Sequence, residues 1–276
     1  IDGLVKPKDI SRGGEGVPVR FEIEVEIKGA IYAYNLALEF PEGFKELRVL
    51  AEEFLVDGKE IYSRARAQVI LGPKPPPGLN FSSLTSFNLD WHLVALPIVQ
   101  EKSEADPIFI FKQWMSRMLI LSPIPALITG ESRGETLLPQ LRVENLGDWF
   151  TGLLAYAPSA YSSIDKYLKE VMPDLKDIRN PTIGTDARSL EFNFHANGES
   201  LRLSFDALSD GEKCLVICAL VIASNAAYGP LCCFWDEPEN HIGISEVGHL
   251  IIALRKVFSH GGQFIATSHN PEAIRK

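Results

Sequence analysis

The chain carries little of what marks a membrane, secreted or metal-binding protein. No run of about eighteen apolar residues occurs, and the longest apolar stretch, from Cys214 to Ala223, has the length of a core helix. No segment has the pattern of a secretory signal peptide. The four cysteines, at positions 214, 218, 232 and 233, lie in apolar runs without a Cys-x-x-Cys pair, which favours buried reduced thiols over a metal site. These features predict a cytoplasmic protein with no membrane partner.

Positive charge is also scarce. The 276 residues include 27 lysines and arginines against 36 aspartates and glutamates, for a formal net charge of -9. This balance argues against a protein that coats nucleic acid with its whole surface, but it leaves room for a local basic groove. Arg64 and Arg66, on one face of a predicted strand, are candidates for phosphate contacts. Other basic residues alternate with acidic ones and predict a solvated surface: Lys6, Lys8, Arg12 and Arg20.

The first part of the chain is predicted to be β structure. Residues 17–40 alternate apolar and polar side chains with a break at Lys28-Gly29, which predicts a hairpin with one solvated face. Residues 47–71 continue the antiparallel sheet, with a hairpin turn at Asp57-Gly58. The proline-rich segment Gly72–Gly78 then predicts a loop or a linker.

The middle of the chain is predicted to be mainly helical. Residues 105–122 place apolar side chains at helical spacing, and a second helical region runs from about Leu146 to Val171, split near Pro158. A polar loop, ITGESRGETLLPQ, separates the two regions. We therefore expect residues 105–190 to form a helical insertion between two β-rich portions.

The last part of the chain has an alternating α/β rhythm. A hairpin with its turn at Asn197-Gly198 is followed by a long helix from Asp210 to about Ala227. Two short apolar strands come next, LCCFW before Asp236 and GQFIAT before Ser268-His269, separated by a helix over Ser245–Phe258. Strands joined by a crossover helix imply a parallel sheet covered on both faces, and such sheets bind ligands at the carboxyl ends of their strands.

Polar side chains stand at both predicted strand ends. Asp236 and Glu237 follow the first strand, and Pro238 ends it because proline cannot donate to the sheet. One carboxylate can hold a magnesium ion, while the other can orient or deprotonate a water molecule. His269 follows the second strand, so neighbouring strands would bring it within reach of the two acids. An isolated acidic pair or histidine is more often a solvated surface feature, but equivalent positions on two strands favour a site.

The turn before the long helix has the pattern of a capping box. The Ser209 hydroxyl is expected to accept a hydrogen bond from the N–H of Glu212, whose carboxylate reaches back to the turn. Gly211 leaves the surface at the helix start bare. Free N–H groups and the positive end of the helix dipole can bind phosphate there, although an ordinary helix cap would have the same sequence.

Three motifs in this last part resemble those of ABC-type ATPases. LSDGEK at 208–213 resembles their signature motif, FWDEPE at 234–239 their Walker B segment with the adjacent catalytic acid, and IATSHNPE at 265–272 their switch-histidine loop. The sequences of these motifs are most similar to those of SMC- and RecF-like ATPases, a group that includes OLD proteins and the ATPase subunits of bacterial defence systems. The resemblance covers about residues 200–276.

The resemblance implies an α/β fold, a P-loop NTPase head of the ABC type with an antiparallel β subdomain and a helical insertion. Residues 1–104 would be the β-rich part of the head, residues 105–190 the helical arm or lid, and residues 191–276 the part with the signature, Walker B and switch histidine. Members of the group form head-to-tail dimers with ATP between the subunits. A nuclease or other effector subunit and DNA are further partners that the resemblance suggests.

The resemblance also implies roles for single residues, with ATP and Mg²⁺ as ligands. Asp236 would coordinate the magnesium ion, Glu237 would activate the attacking water, and His269 would contact the γ-phosphate. The signature turn would bind the γ-phosphate of the ATP held by a second subunit. Its residues are Ser209, Asp210, Gly211 and Glu212.

The sequence departs from the family pattern in three places. No GxxxxGK[ST] phosphate loop occurs, and the nearest imitation, Gly130–Thr136, has the wrong spacing and Glu in place of Lys. We expect that loop upstream of Ile1. Asn240-His241-Ile242 follows DEPE where relatives carry an apolar residue, His and Pro. The magnesium-contacting Gln of such enzymes is not evident either, with Gln68 and Gln100 as weak candidates.

Three other functions remain open at this point. The chain could be the ATP-binding subunit of an ABC transporter, or a degenerate ATPase that serves as a scaffold. It could also be a metal-dependent hydrolase that uses no nucleotide, with Asp236, Glu237, Glu239 and His241 as ligands. That last function leaves the segment Ser209–Lys213 unexplained.

Overall fold

The structure, a computed structural model, describes residues 16–41, 46–73, 85–196 and 198–275. The chain divides between Met115 and Ser116 into two compact units, and each has its own hydrophobic core. We call them the first unit and the second unit. Lys6, Lys8, Arg12, Asn197 and most of the proline-rich segment lie outside the described residues.

The first unit is a six-stranded antiparallel sheet in which each strand pairs with the next. Its two predicted hairpin turns are confirmed: φ is 53° at Lys28 and 83° at Gly29, and 48° at Asp57 and 73° at Gly58. Positive φ at both turn residues matches the twist of the flanking strands. The strands are β1 (Val19–Ile27), β2 (Ala30–Glu39), β3 (Arg48–Val56), β4 (Lys59–Ala65), β5 (Gln68–Leu71) and β6 (Thr85–Asn88).

One helix, α1 (Pro107–Met115), belongs to the first unit. Its Phe111 is fully buried among aromatic side chains of the sheet, with ring centroids 5.0 Å from Phe54 and 6.3 Å from Tyr32. The apolar spacing that predicted a helix over residues 105–122 is therefore correct for the part that packs on this sheet, and wrong beyond it.

The second unit contains three three-stranded sheets and five helices among the described residues. The sheet orders are β10-β11-β8, β13-β12-β9 and β15-β14-β7. The strands are β7 (Met118–Leu121), β8 (Glu131–Ser132), β9 (Leu175–Arg179), β10 (Thr182–Ile183), β11 (Ala187–Ser189), β12 (Glu191–Ala196), β13 (Glu199–Ser204), β14 (Cys232–Asp236) and β15 (Gln263–Thr267). The helices are α2 (Leu146–Tyr156), α3 (Ala160–Val171), α4 (Asp210–Tyr228), α5 (Ile244–Phe258) and α6 (Pro271–Arg275).

Strand β7 corrects the helix predicted over residues 105–122. Its residues pair in parallel with β14, from Met118 opposite Cys232 to Leu121 opposite Trp235. A short apolar run such as MLIL has no periodicity that separates a buried strand from a buried helix, so only its partner decides. Segment 105–190 consequently holds strands β7 to β11 as well as helices α1 to α3.

Helix α4 runs through the core of the second unit. Every residue from Lys213 to Ser224 is buried, as expected for a helix that is apolar all round. Within the described residues, α4 alone is long and apolar enough to cross a membrane, and 67% of its most apolar window is buried inside the protein. Its surroundings are therefore those of a core helix.

The cysteines are free and buried, as the sequence predicts. Burial raises the pKa of Cys214, Cys218 and Cys233 to about 12. The thiols are therefore protonated at neutral pH and act as small apolar side chains.

The parallel sheet β15-β14-β7 differs on its two faces. One face packs into the core with Leu119, Cys233 and Trp235. The other presents Ile120 and Ile265 at 54% and 43% exposure, both in register with Phe234. A shallow groove of about 310 Å³ runs along the strand ends here. Parallel sheets are normally covered on both faces, so this face is the less usual one.

Candidate functional site

The carboxyl ends of β7, β14 and β15 meet at one edge, and Asp236 lies at its centre. Two hydroxyl groups from the flanking strands donate to its carboxylate: Ser122 Oγ to Oδ2 at 3.2 Å and Thr267 Oγ1 to Oδ1 at 2.5 Å. The strands are parallel, so their ends bring these three oxygen-bearing side chains together. Asp236 is thereby oriented from both sides while remaining exposed at the edge.

Glu237 and His269 form a pair at the same edge. Nε2 of His269 lies 3.3 Å from Oε1 of Glu237, and Nδ2 of Asn240 donates to Oε2 at 2.5 Å. The backbone N–H of Glu237 donates to Thr267 Oγ1 at 3.1 Å. The histidine ring is 92% exposed and the glutamate 31%. The sequence predicted that these side chains would converge, and the structure brings them together.

The backbone of Glu237 adopts φ = 50°, in the left-handed region that non-glycine residues rarely occupy. Such a conformation costs on the order of 1–3 kcal/mol and persists where surrounding contacts hold it. Here the contacts come from Thr267, Asn240 and His269.

The predicted capping box is present at the start of α4. Ser209 Oγ accepts from the N–H of Glu212 at 3.3 Å, and Glu212 Oε2 accepts from the N–H of Ser209 at 2.7 Å. The Glu212 carboxylate is thus occupied by the cap. The N–H groups of Asp210 and Gly211 have no partner within the helix, as at any helix start.

Gly211 is required for a different reason from the one that the sequence suggested. A Cβ at this position would lie 2.7 Å from the carbonyl oxygen of His241, closer than real contacts allow. His241 itself has φ = 67°, and its Nδ1 lies 3.7 Å from Oδ2 of Asp210. The backbone of His241 therefore lies against the signature turn, while its side chain stays exposed.

The two groups of site residues are separate within one chain. Ser209, Asp210, Gly211 and Glu212 line a cavity of about 580 Å³ together with His241 and the end of α3. None of these residues contacts Asp236 or Thr267 by a hydrogen bond or ion pair in the described part of the chain. The short loop between Glu237 and His241 runs from one group to the other.

The ligand set of a nucleotide-free metal hydrolase does not assemble. Among the described residues, no group of three or more His, Cys, Asp and Glu side chains could hold a metal ion. Glu239 turns inward to Ser268 and His241 lies beside Asp210, away from Asp236. The oxygen atoms around Asp236 do fit magnesium, which takes one or two protein carboxylates, with water and substrate phosphates completing its coordination.

Segment Gly130–Thr136 is not a phosphate loop. The N–H groups of Arg133 and Gly134 both donate to Oδ1 of Asp148 at 2.9 Å, so a carboxylate of the same chain occupies the turn. A Cβ on Gly130 would lie 2.4 Å from the Phe205 side chain, and so this glycine serves close packing.

Sequence reasoning missed Ser122 and misjudged Arg64. Ser122, which follows β7, was not predicted as a site residue. The two weak candidates for a magnesium-contacting Gln both belong to the first unit, Gln68 in β5 and Gln100 in a loop. Arg64 is only 3% exposed and donates to the carbonyls of Arg66, Leu93 and Asp90 beside Glu52. It is a structural residue rather than a phosphate contact.

No protein-family model and no curated protein matches the chain. Solved structures that resemble it include SMC ATPase head domains. An SMC ATPase studied for ATP-driven dimerisation and DNA-stimulated activation is 19% identical, with a TM-score of 0.35 over 45% of this chain and 75% of the other. The Smc head of Pyrococcus furiosus, bound to the C-terminal domain of ScpA, is 17% identical, with a TM-score of 0.35 over 43% of this chain and 30% of the other.

The SMC head domain of Thermotoga maritima aligns over 94% of this chain and 66% of its own length, at 14% identity and a TM-score of 0.41. The functional proposal rests on the arrangement of side chains at the sheet edge.

Proposed function

We propose that this chain is part of an SMC- or RecF-like ATPase that binds ATP with Mg²⁺ and hydrolyses it at the edge of the β15-β14-β7 sheet. The single observation that carries the proposal is the convergence of Asp236, Glu237 and His269, with two oriented hydroxyl groups, at three parallel strand ends. An acid that can hold a metal ion and a second acid that can accept a proton from water are groups that phosphoryl transfer to water uses, and the exposed histidine beside them can hydrogen-bond a phosphate.

Each residue has a role that its contacts support. Magnesium, when bound, neutralises charge on the phosphates. Asp236 would hold the ion with a carboxylate that Ser122 and Thr267 keep in place. Glu237 accepts the proton of the attacking water at its carboxylate. His269, 3.3 Å from Glu237, donates a hydrogen bond to the terminal phosphate from the exposed edge.

The signature turn acts on the nucleotide of a second copy of the chain. Its separation from Asp236 within one chain supports this arrangement. The N–H groups of Asp210 and Gly211, which have no partner within the helix, offer donors at the positive end of α4, beside the Ser209 hydroxyl that donates to Glu212 Oε2 at 2.7 Å. ATP held between two copies makes dimerisation depend on the nucleotide, and we propose that this drives an assembly that acts on DNA or controls a nuclease partner, of the kind found in bacterial defence systems.

A phosphate loop is still needed, since the 276 residues contain none. The exposed face of the β15-β14-β7 sheet, around Ile120, Phe234 and Ile265, supports a position for this loop next to the sheet. A helix that covers a parallel sheet and connects its strands begins at the carboxyl edge, and so its N-terminus would lie beside Asp236. One further element would then cover the apolar face and supply the phosphate-binding backbone.

The test is steady-state ATP hydrolysis by the full-length protein, comparing wild type with Glu237→Gln. Removing the proton acceptor should lower kcat by about 10²–10⁴-fold and should trap an ATP-bound dimer, detectable by light scattering after gel filtration. Glu24→Gln, an exposed acid on β1 outside all three motifs, is the matched control and should behave as wild type.

Other outcomes separate the alternatives. Undiminished hydrolysis by Glu237→Gln would show that this acid is not the base. An inactive wild type that still dimerises without ATP would indicate a scaffold. Metal-dependent cleavage without ATP would indicate a hydrolase of another class, and purification with a membrane protein would indicate a transporter subunit.

A further inference from the structure

Glu239 is a buried acid in the loop after β14. The residue is 7% exposed, and its Oε1 accepts a hydrogen bond from Ser268 Oγ, in the loop after β15. Its Oε2 is also buried and accepts no hydrogen bond from any residue that the structure describes. One carboxylate oxygen is thus used to join two loops, while the other has no protein donor.

Stability does not explain this residue. Burying a carboxylate is unfavourable unless its oxygens are hydrogen-bonded or paired with a cation, and Glu239 has one hydroxyl donor and no cation within ion-pair distance in the described residues. An amide or an apolar side chain would cost less in this place. A buried polar atom without a hydrogen-bond partner therefore calls for an explanation, such as a functional role.

The Ser268 hydroxyl also bonds to the backbone next to His269. Ser268 Oγ also accepts from the N–H of Asn270 at 3.1 Å, and Asn270 Oδ1 caps α6 by accepting from the N–H of Glu272 at 2.9 Å. The Ser268 hydroxyl therefore braces the backbone on both sides of His269. That ring is otherwise almost free in solvent, 92% exposed, with Glu237 Oε1 3.3 Å from its Nε2.

We propose that Glu239 is a positioning residue, which holds His269 beside Glu237 by fixing Ser268. Glu239 follows Glu237 by two residues, so the same loop carries the acid and the brace for its histidine partner. The expected effect on hydrolysis rests on the proposed ATPase function. The expected effect on geometry is independent of that function: when Glu239 is shortened, His269 loses its place next to Glu237.

The first experiment tests the geometry without nucleotide. Full-length protein with ¹³C-labelled histidine is compared as wild type and Glu239→Ala, each with and without Glu237→Gln, and His269→Gln assigns the ring signal. In the wild type, Glu237→Gln should move the His269 signal because the two groups are 3.3 Å apart. In the Glu239→Ala background this response should be lost. An unchanged response would overturn the proposal.

The second experiment measures kcat and KM for ATP. Glu239→Ala should lower kcat by about 10–100-fold, the effect of misplacing a group by about 1 Å, with little change in KM. Glu239→Gln keeps an acceptor oxygen for Ser268 and should restore most of the rate. The double variant Glu239→Ala with Ser268→Ala should be no slower than either single variant, because both remove the same contact.

Stability measurements separate positioning from folding. Glu239→Gln and Glu239→Ala should melt no lower than wild type, since a poorly satisfied buried charge is removed. A marked fall in melting temperature that accounts for the loss of rate would overturn the proposal. If the wild type does not hydrolyse ATP but the histidine signal behaves as expected, the proposed function fails while the positioning role of Glu239 stands.

Discussion

At the scale of single residues, Glu52 shows how the first unit uses a buried charge. Its carboxylate, 1% exposed, accepts from the hydroxyls of Tyr34 and Tyr62 at 3.0 and 2.8 Å and from the N–H groups of Ala95 and Leu96 at 2.7 and 2.8 Å. Arg64 lies 3.8 Å away. Burial, and next the negative charge of Glu52, raise the pKa of both tyrosines far above the ordinary value, so they remain donors.

Replacing Glu52 by Ala should therefore destabilise the first unit by about 3–5 kcal/mol, because Arg64 and four donors lose their partner inside the protein. Glu52→Gln keeps part of the acceptor set and should cost less, on the order of 1–3 kcal/mol. The measurement is urea unfolding. Glu24→Ala on β1, an exposed acid, is the control and should stay within about 0.5 kcal/mol of wild type. A Glu52→Ala protein as stable as the control would contradict this account.

Some residues of the candidate site could be predicted from the sequence, and others could not. Asp236, Glu237 and His269 were found because they follow apolar strands, which is a local pattern. Ser122 was missed because it lies 114 positions from its partner Asp236, and no short-range pattern marks a serine after an apolar run. Arg64 was misjudged because an arginine on a strand looks the same in sequence whether water or Glu52 faces it.

At the scale of elements, the start of α4 depends both on hydrogen bonds within the helix cap and on a contact with a distant loop. The Ser-x-x-Glu pattern predicts the capping box correctly, since both hydrogen bonds lie within four residues. The glycine inside that pattern has a long-range cause, the carbonyl of His241 from the loop after β14.

Gly211→Ala should consequently lower the stability of the second unit. In an exposed helix, Ala is favoured over Gly by about 1 kcal/mol, but here a Cβ would meet His241 O at 2.7 Å, a backbone atom that cannot turn aside. Thermal unfolding should show a lower melting temperature. The neighbouring Asp210→Ala has room for its methyl group and should change stability by about 1 kcal/mol or less. A Gly211→Ala protein that melts higher than wild type would show that the loop yields easily.

At the scale of the whole molecule, the two cores share no residue. Aromatic side chains from β2 to β4 and α1 build the core of the first unit, while α4, the parallel sheet and α2 to α5 build that of the second. The tryptophans divide evenly, with Trp91 and Trp114 in the first unit and Trp149 and Trp235 in the second. Each unit thus contains two tryptophans whose spectra can report on its unfolding.

Core substitutions should therefore act on one unit at a time. Phe111→Leu removes ring contacts in the first core, and Phe150→Leu does so in the second; each should cost about 1 kcal/mol or more. With 5-fluorotryptophan, ¹⁹F spectra during urea unfolding follow the four tryptophans separately. Phe111→Leu should move the transition of Trp91 and Trp114 alone, and Phe150→Leu that of Trp149 and Trp235. Equal shifts of all four signals in both variants would show a single cooperative unit.

The sequence by itself determined the features that neighbouring residues control. These are the hairpin turns at Lys28-Gly29 and Asp57-Gly58, the buried helix α4 with its capping box, and the acids and histidine at two strand ends. Local backbone preference and hydrogen bonds spanning a few residues produce such features. They can therefore be predicted without knowing which distant segments pack together.

Only the tertiary structure decided which segments become partners. It made MLIL a strand beside β14, which brought Ser122 to Asp236. It buried Glu239 under Ser268 and set the His241 carbonyl on Gly211. Burial and long-range pairing depend on how distant segments pack, and the free energy of a charge or hydroxyl changes with the atoms around it rather than with its neighbours in sequence.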